Sequence, residues 1–309
     1  MKNVLTDTVV MISPDAFGYD PATAESNAFQ NKPTQSAEET KDLALSEFNT
    51  AVDTLRAAGV NVIVCPSNKN EMTPDAVFPN NWFSTHEDGT FVLYPMKAPN
   101  RRKERQLEVL QPMLEAAGFE IKNLVDITAS ENQEKCLEGT GSMVFERDQK
   151  VAFAIESVRT HEEIFNEFCK QLGFKPVFFH GYDNQSNPIY HTNVLMGIGD
   201  GYVVICLEAI SKQEEVAMVT AELKRLDLEI IDISMAQVRQ FCGNLLQVKS
   251  TSGEKLIVMS AAAEKGFTDE QKSTLTKYGK IVAISIPTIE TIGGGSARCM
   301  LAEIFLPKQ

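Results

Sequence analysis

Apolar runs separated by polar turns predict β-hairpins in four segments of the chain. In each segment two short apolar runs flank an Asp-Gly, Ser-Gly or other polar turn, which is a hairpin signal although the loop lengths vary. The segments are NNWFSTHEDGTFVLYPM (80–96), GTGSMVFERDQKVAFAIE (139–156), HTNVLMGIGDGYVVICLE (191–208) and CGNLLQVKSTSGEKLIVMS (242–260). Strand pairs are therefore expected along most of the chain.

The hairpins recur at a nearly constant spacing. With Asn81, Ser142, Asn193 and Asn244 taken as equivalent positions, the intervals are 61, 51 and 51 residues, and 52 more lead to Ser296. Ser296 lies in GGGSARCMLAE (293–303), where three glycines precede an apolar run. This last segment is therefore interpreted as the fifth member of the repeat.

Helix-like segments, each followed by one more strand, lie between the hairpins. Residues 36–59 begin with a capping-box pattern at Ser36 and Glu39 and end at Gly59, and the apolar run VNVIVCPS follows (60–67). HEEIFNEFCKQLG (161–173) and FKPVFFHGY (174–182) repeat this order. The unit is thus strand, strand, helix, strand.

Five such units predict a single closed array, because one unit alone cannot bury its apolar face. We expect an α/β fold, specifically a five-bladed α/β propeller (the pentein fold) of ββαβ repeats with pseudo-fivefold symmetry. It would form one catalytic domain over residues 1–309, and the N-terminal strand VVMISP (9–14) would complete the last repeat.

Composition narrows the choice of partner and compartment. The 309 residues are 43% hydrophobic, enough for a large core, and the formal charge of -13 argues against a nucleic-acid partner. A small neutral or cationic ligand fits better. No segment resembles a signal peptide or a membrane span, so a cytoplasmic protein is expected, with homo-oligomerisation left open. The six cysteines form no CxxC pair and are expected to be reduced.

Unusual polar residues recur at the equivalent end of four repeats, where side chains should converge on the axis. They are Asp75 with Asn80 and Asn81, then Glu138, then His191 with Asn193, and finally Cys299. The remaining repeat, with Cys242-Gly243-Asn244, is interpreted as mainly structural.

Cys299, His191 and Glu138 together have the composition of a nucleophile, an acid/base and an orienting group. A thiol with an ordinary pKa of about 8.5 needs a nearby cation to ionise, and His191 is expected to supply it. The glycines at 293–295 would leave room around the reacting carbon. The alternatives are a packing role for Cys299, a strand-end role for His191 and turn roles for Glu138 and Asp75. His180 remains a secondary candidate.

Several motifs resemble the guanidino-group modifying superfamily, which includes arginine deiminases, dimethylarginine hydrolases and amidinotransferases. The resemblance is strongest to bacterial citrulline-utilisation hydrolases. It rests on the segments FGYDPATAESNAFQ, DAVFPNNWFSTH, LEGTGSMVF, HTNVLM, FCGNLLQV and GGGSARCMLAEIF, which run from residue 17 to residue 305.

The resemblance implies a reaction and a role for each residue. Cys299 would attack the guanidino or ureido carbon, His191 would protonate the departing ammonia and later activate water, and Glu138 would orient His191. The covalent intermediate would then be hydrolysed. No metal and no organic cofactor are expected, and the partner would be a small ureido or guanidino amino acid.

Two departures from the family pattern bear on the substrate. Deiminases resemble FTRD where this chain has Phe78-Pro79-Asn80-Asn81, and they carry His-x-Asp where this chain has His191-Thr192-Asn193. A carboxylate only accepts hydrogen bonds, whereas an asparagine also donates to a carbonyl oxygen. Asn81 and Asn193 therefore favour citrulline, which would yield ornithine, ammonia and carbon dioxide, although Asp75 could still hold a cation.

The other expected ligand contacts are less specific. Arg298 or Arg239 could pair with an α-carboxylate, and residues 20–33, through Asn27, could cover the ligand. The rival hypotheses are an arginine deiminase or dimethylarginine-type hydrolase, an amidinotransferase, and a non-catalytic propeller like the ribosome anti-association factors.

Overall fold

Five three-stranded sheets make up the fold of the computed structural model, which describes residues 4–309. Residues 1–3 of the expected 1–309 domain lie outside the described residues. The strands are β1 (Thr8–Ile12), β2 (Asn61–Cys65), β3 (Phe83–Thr85), β4 (Thr90–Leu93), β5 (Asn123–Asp126), β6 (Met143–Glu146), β7 (Val151–Ile155), β8 (Lys175–Phe179), β9 (Met196–Gly199), β10 (Tyr202–Ile205), β11 (Glu229–Asp232), β12 (Leu246–Lys249), β13 (Lys255–Ser260), β14 (Lys280–Ile284) and β15 (Ala302–Glu303).

Helices connect the strands within and between the sheets. They are α1 (Pro21–Ala24), α2 (Ala37–Ala57), α3 (Leu107–Ala116), α4 (Gly139–Ser142), α5 (Glu162–Leu172), α6 (Thr192–Leu195), α7 (Gln213–Arg225), α8 (Met235–Val238), α9 (Ala261–Gly266) and α10 (Asp269–Leu275). Among the 3-10 turns, Pro79–Asn81 and Ala297–Met300 bear on the site, as does a π-helical turn at Ile289–Gly293. No helix in residues 4–309 is long and apolar enough to cross a membrane.

All five sheets share one topology. The middle strand pairs antiparallel with the first strand and parallel with the third, in the orders β3-β4-β5, β6-β7-β8, β9-β10-β11, β12-β13-β14 and β15-β1-β2. A parallel pair needs a crossover, and a helical segment supplies it in each unit. The strand, strand, helix, strand unit is therefore confirmed. The N-terminal strand does complete the last repeat, because β1 pairs with β15.

Helix α2 begins and ends as its sequence predicts. The Ser36 side chain accepts a hydrogen bond from the Glu39 N–H, and the Glu39 carboxylate accepts one from the Ser36 N–H. The buried residues Ala44, Phe48 and Val52 recur at helical spacing and form the face that packs on the core. The helix stops before Gly59, whose φ of +87° favours glycine.

Hydrogen bonds join the start of each hairpin to the same point in the next repeat. Each bond involves a backbone group of one repeat and a polar group of its neighbour. The bonds are Thr140 Oγ1 to Asn80 O (3.3 Å), Thr192 Oγ1 to Ser142 O (2.6 Å), Asn244 Nδ2 to Asn193 O (3.0 Å) and Arg298 N to Asn244 Oδ1 (3.0 Å). The turns Pro79–Asn81 and Ala297–Met300 contact each other, so the fifth repeat meets the first.

The fourth crossover differs from a single predicted helix. It is split into α9 and α10, because Phe267 is extended and Thr268 caps a new helix with Gln271. Short helical turns, α4 and α6, also precede two of the hairpins. Four-residue helices carry too little hydrophobic periodicity to be recognised from the sequence.

Removing the α2 cap should weaken the fold by a defined amount. We expect Ser36→Ala to lower the free energy of unfolding by about 1 kcal/mol, since the N-terminal N–H groups of the helix lose their acceptor. Urea denaturation followed by circular dichroism measures this change. Ser46→Ala, at an exposed position inside α2, is the matched control and should be close to neutral. Equal losses in both variants would contradict the capping interpretation.

Candidate active site

One small cavity brings together residues from four of the five repeats and from the segment after α1. It is lined by Cys299, His191, Asp75, Asn81 and Asn27 from the sequence-predicted set. Arg101, Arg159, Tyr190, Phe78 and Gly293 to Gly295 complete the lining. Glu138 lies behind this lining, in contact with His191.

Cys299 lies in the 3-10 turn Ala297–Met300, directly before β15. Its side chain is 3% exposed. The sulphur accepts hydrogen bonds from two amide groups, Asn193 Nδ2 at 3.4 Å and Asn244 Nδ2 at 3.3 Å. Asn244 comes from the repeat that the sequence suggested to be mainly structural, and the structure adds a contact with the thiol.

His191 and Glu138 form a buried hydrogen-bonded pair. His191 directly precedes α6, Glu138 directly precedes α4, and His191 Nε2 lies 2.8 Å from Glu138 Oε2. Burial lowers the pKa of His191 to about 4, although Glu138 acts in the opposite direction. Burial therefore favours the neutral imidazole, which opposes the expectation that His191 supplies a cation to the thiol.

Two buried arginines keep Glu138 ionised. Burial alone would raise the pKa of Glu138, but Arg159, His191 and Arg101 outweigh it and hold that pKa well below its usual range. Oε2 lies 3.5 Å from Arg159 Nη1 and 3.8 Å from Arg101 Nη1, and Oε1 accepts the Lys97 N–H at 2.9 Å. An ionised Glu138 only accepts hydrogen bonds, so His191 Nε2 carries the hydrogen and Nδ1 is unprotonated.

Asp75 presents one unpaired carboxylate oxygen. Oδ2 accepts the Thr23 hydroxyl at 2.8 Å, whereas Oδ1 is buried and has no hydrogen-bond partner among the described residues. Burial raises the pKa of Asp75 to about 6, and Arg101 opposes that rise. A group on a ligand that donates a hydrogen bond would satisfy Oδ1.

The orientation of the Asn81 amide follows from its contact with Arg101. Arg101 Nη1 donates to Asn81 Oδ1 at 2.8 Å, so the other end of the amide, Nδ2, is a donor that has no partner among residues 4–309. A Cβ on Gly141 would lie 2.3 Å from this nitrogen and 2.8 Å from the His191 ring. Glycine at position 141 therefore allows the donor of Asn81 and the imidazole to lie side by side.

The other asparagines predicted to bind the ligand lie at different places relative to the cavity. Asn193 Oδ1 has no partner in the described part of the chain, and its Nδ2 contacts the Cys299 sulphur. Asn80 is fully buried with neither amide atom paired, but it does not line the cavity. Asn27 Nδ2 donates to the Gly294 carbonyl at 3.2 Å.

The three glycines allow close packing around the cavity. A Cβ on Gly293 or Gly295 would lie 2.8 Å from the Phe78 ring, and Gly294 has a φ of +65°. Residues 20–33 do cover this region, since Gln30 Nε2 donates to the Gly293 carbonyl at 3.0 Å. Part of this segment, however, is the helix α1 rather than a loop.

The two arginines expected to bind an α-carboxylate lie away from the cavity. Arg298 forms an ion pair with Glu303 at 2.8 Å and donates to the Leu301 carbonyl at 2.8 Å. Arg239 is exposed at the end of α8. Neither lines the cavity. His180 forms ion pairs with Glu156 and Glu215 and is likewise absent from the lining.

Sequence reasoning missed Arg101 and Arg159, the two guanidinium groups of the site. Both are buried, at 2% and 3% exposure. Arginine is an ordinary loop residue, and neither stretch, APNRRKE or ESVRTHE, departs from loop composition. The one shared signal is that each arginine follows the second strand of a repeat that contributes a buried carboxylate, Asp75 or Glu138.

A family model matches almost the whole chain. It is described as N,N dimethylarginine dimethylhydrolase, eukaryotic, and it matches residues 13–306. The chain belongs to this family. The resemblance to the guanidino-group modifying superfamily is thus confirmed, and the protein is a hydrolase that acts on non-peptide C–N bonds. Membership of this hydrolase family argues against the non-catalytic alternative. A search of the curated proteins finds no match.

Solved structures share the architecture at low sequence identity. The N-terminal domain of ArgZ, a cyanobacterial arginine dihydrolase, has 17% identity and a TM-score of 0.73, with 96% of this chain and 97% of that domain covered. AgrE bound to L-arginine has 16% identity and a TM-score of 0.73, with 98% of this chain but only 40% of that one covered. A dimethylarginine dimethylaminohydrolase adduct with S-methyl-L-thiocitrulline has 14% identity and a TM-score of 0.66, with 97% and 100% covered. These similarities support the mixed α/β fold of five sheets.

The ionised side chain of Asp75 should lower the free energy of unfolding at neutral and alkaline pH. Its carboxyl group ionises at about pH 6 in the folded protein, compared with an ordinary value of 3.8, so stability is lost as the pH rises through this interval. We expect Asp75→Asn to raise the free energy of unfolding by roughly 3 kcal/mol at pH 8 and by about half as much at pH 5.

Urea denaturation at the two pH values checks this expectation. Asp53→Asn, at an exposed position on α2, is the matched control and should show no such pH dependence. A destabilised Asp75→Asn variant at pH 8 would mean that the carboxylate stabilises the fold through Arg101.

Proposed function

We propose that this protein hydrolyses citrulline to ornithine, ammonia and carbon dioxide through a covalent intermediate on Cys299. The observation that carries the proposal is the pair of unpaired polar atoms lining the cavity, one donor and one acceptor. Asn81 Nδ2 is the donor and Asp75 Oδ1 is the acceptor. A ureido group has one carbonyl oxygen and several N–H groups, and so offers a partner to both atoms.

A guanidinium group fits the same pair less well. It donates from all its nitrogens and accepts no hydrogen bond, so it would satisfy Asp75 but leave the Asn81 donor unpaired. The Asn81 amide cannot rotate to present its oxygen without losing the hydrogen bond from Arg101. A buried donor without a partner costs about 1–3 kcal/mol, which favours the ureido substrate.

The proposed reaction proceeds in two stages. As the Cys299 sulphur adds to the ureido carbon, the thiol proton passes to Nδ1 of His191. The terminal C–N bond then breaks, and His191 delivers this proton to the departing nitrogen, which leaves as ammonia. Water, deprotonated by His191, then attacks the thiocarbamate carbon, and the C–S bond breaks. The carbamate of ornithine is released and loses carbon dioxide. The sum is citrulline plus water to ornithine, ammonia and carbon dioxide, with the thiol regenerated.

Glu138 serves this scheme by fixing the imidazole. Its hydrogen bond holds the hydrogen on Nε2, so Nδ1 is the nitrogen that exchanges a proton with the ligand. Once His191 accepts a proton, the adjacent carboxylate stabilises the imidazolium.

Hydrolysis of arginine or a methylated arginine is the second candidate. Three buried carboxylates, Asp75, Glu104 and Glu138, face two buried guanidinium groups, Arg101 and Arg159. Burial raises the pKa of Glu104, although Arg101 opposes this rise by donating to both carboxylate oxygens at 2.9 Å. A cationic ligand would lower the cost of ionising such a cluster. The family name and ArgZ, an arginine dihydrolase, also point to guanidino substrates.

We further infer that residues 1–309 form one propeller domain with pseudo-fivefold symmetry, cytoplasmic in location and open to self-association. The shared topology of the five sheets and the hydrogen bonds between successive repeats support the propeller.

A side-by-side assay tests the substrate. The purified protein is incubated with citrulline or arginine, and ornithine, citrulline and ammonia are quantified. We expect ornithine from citrulline, and no turnover by Cys299→Ala. Preferred formation of citrulline from arginine would contradict the interpretation of Asn81 and favour the second candidate. Dependence of turnover on an added amine would reveal a transferase.

Substitution of Asn81 tests the donor directly. We expect Asn81→Asp to keep the contact with Arg101 but lose the donor, lowering kcat/KM for citrulline by roughly 10- to 100-fold and shifting the preference toward arginine. Asn70→Asp, at an exposed position, is the matched control. An unchanged substrate preference in Asn81→Asp would show that Asn81 does not select the ureido group.

A further inference from the structure

Two amide side chains converge on the Cys299 sulphur from two consecutive repeats. Asn193 lies in α6, two residues after His191. Asn244 occupies the equivalent position 51 residues later. Their Nδ2 atoms lie 3.4 Å and 3.3 Å from Sγ, and both side chains are at most 1% exposed. Water is thus excluded from the contacts between the sulphur and the amides.

The Asn244 amide is held in the orientation that donates to the sulphur. Its Oδ1 accepts the Arg298 N–H at 3.0 Å, and one hydrogen of its Nδ2 is donated to the Asn193 carbonyl at 3.0 Å. If the amide were rotated, its Nδ2 would face the Arg298 N–H, which is also a donor, and its Oδ1 would face the Asn193 carbonyl, which is also an acceptor. The second Nδ2 hydrogen is therefore available to the sulphur.

These contacts make the sulphur a hydrogen-bond acceptor. The thiol could donate to Asn244 Oδ1, which lies 3.7 Å away, but this is the longest of the three contacts. Hydrogen bonds donated to an ionisable group stabilise its charged form. Burial disfavours an imidazolium at His191, and the nearby cation Arg298 is paired with Glu303 at 2.8 Å.

We propose that Asn244, together with Asn193, activates Cys299 by donating hydrogen bonds to its sulphur. This proposal rests on the proposed function, in which Cys299 is the nucleophile. It assigns a catalytic contribution to the fourth repeat, which provides none of the residues that line the cavity.

The reactivity of Cys299 toward iodoacetamide tests the proposal independently of turnover. The labelled peptide that contains Cys299 is quantified by mass spectrometry, and its rate of labelling is followed against pH. We expect Asn244→Ala to move the midpoint of this profile up by about one unit, with a labelling rate about tenfold lower at pH 7. Asn244→Asp, which replaces the donor with an acceptor, should move it further.

Thr85→Val is the matched control for loss of a hydrogen bond between repeats. Thr85 is fully buried in β3 and donates to the Glu303 carbonyl of β15, and it does not line the cavity. We expect this variant to lose stability and to keep the wild-type profile. A profile unchanged in both Asn244 variants, or displaced equally in Thr85→Val, would overturn the proposal.

Kinetics with citrulline separates the proposed function from the proposed role of Asn244. If both proposals hold, Asn244→Ala lowers kcat more than it changes KM. If the protein turns over no ureido or guanidino compound, the proposed function fails while the labelling profile still reports on Asn244. Folding of each variant is checked by circular dichroism before labelling.

Discussion

The site depends on hydrogen bonds that join the start of each hairpin to the next repeat. The backbone carbonyl groups of Asn80, Ser142 and Asn193 are buried where strands begin and sheet pairing is not available to them. Each is satisfied by Thr140, Thr192 or Asn244 of the following repeat. An unpaired buried carbonyl would cost 1–3 kcal/mol, so the repeats are held in one register. Side chains at equivalent positions are thereby held close together, although they are far apart in sequence.

A second constraint is the free-energy cost of burying charged side chains near the hydrogen bonds that join the repeats. Glu138 remains ionised because Arg101 and Arg159 lie near it, whereas Asp75 and Glu104 have raised pKa values because burial outweighs their partners. The same two arginines also fix neighbouring groups. Arg101 orients the Asn81 amide, and Arg159 binds Ser26 in the segment that covers the cavity. Charge balance and ligand geometry are therefore set by the same side chains.

The repeat was predictable because it depends on local patterns. Hairpin turns, the Ser36 capping box and the near-constant spacing of Asn81, Ser142, Asn193, Asn244 and Ser296 are readable in one sequence. The roles of Arg101 and Arg159 were not predictable, because they depend on which loops meet after folding. The protonation state of His191 depends on burial, which no motif encodes. The contact of Asn244 with Cys299 could not be predicted for the same reason, since it depends on how the repeats meet and not on neighbours in sequence.

The nature of the substrate and the state of the thiol are physically linked. A guanidinium substrate brings a positive charge to the sulphur and can favour its ionisation on binding. A ureido group is neutral and brings none, and burial disfavours a charged His191. A hydrolase that acts on citrulline therefore needs another source of stabilisation for the sulphur. The donors of Asn193 and Asn244 supply it without adding a buried charge, and no carboxylate occupies either position to oppose it. The amide of Asn81 thus suits a neutral substrate, and the amides of Asn193 and Asn244 suit a nucleophile that is activated without the help of that substrate.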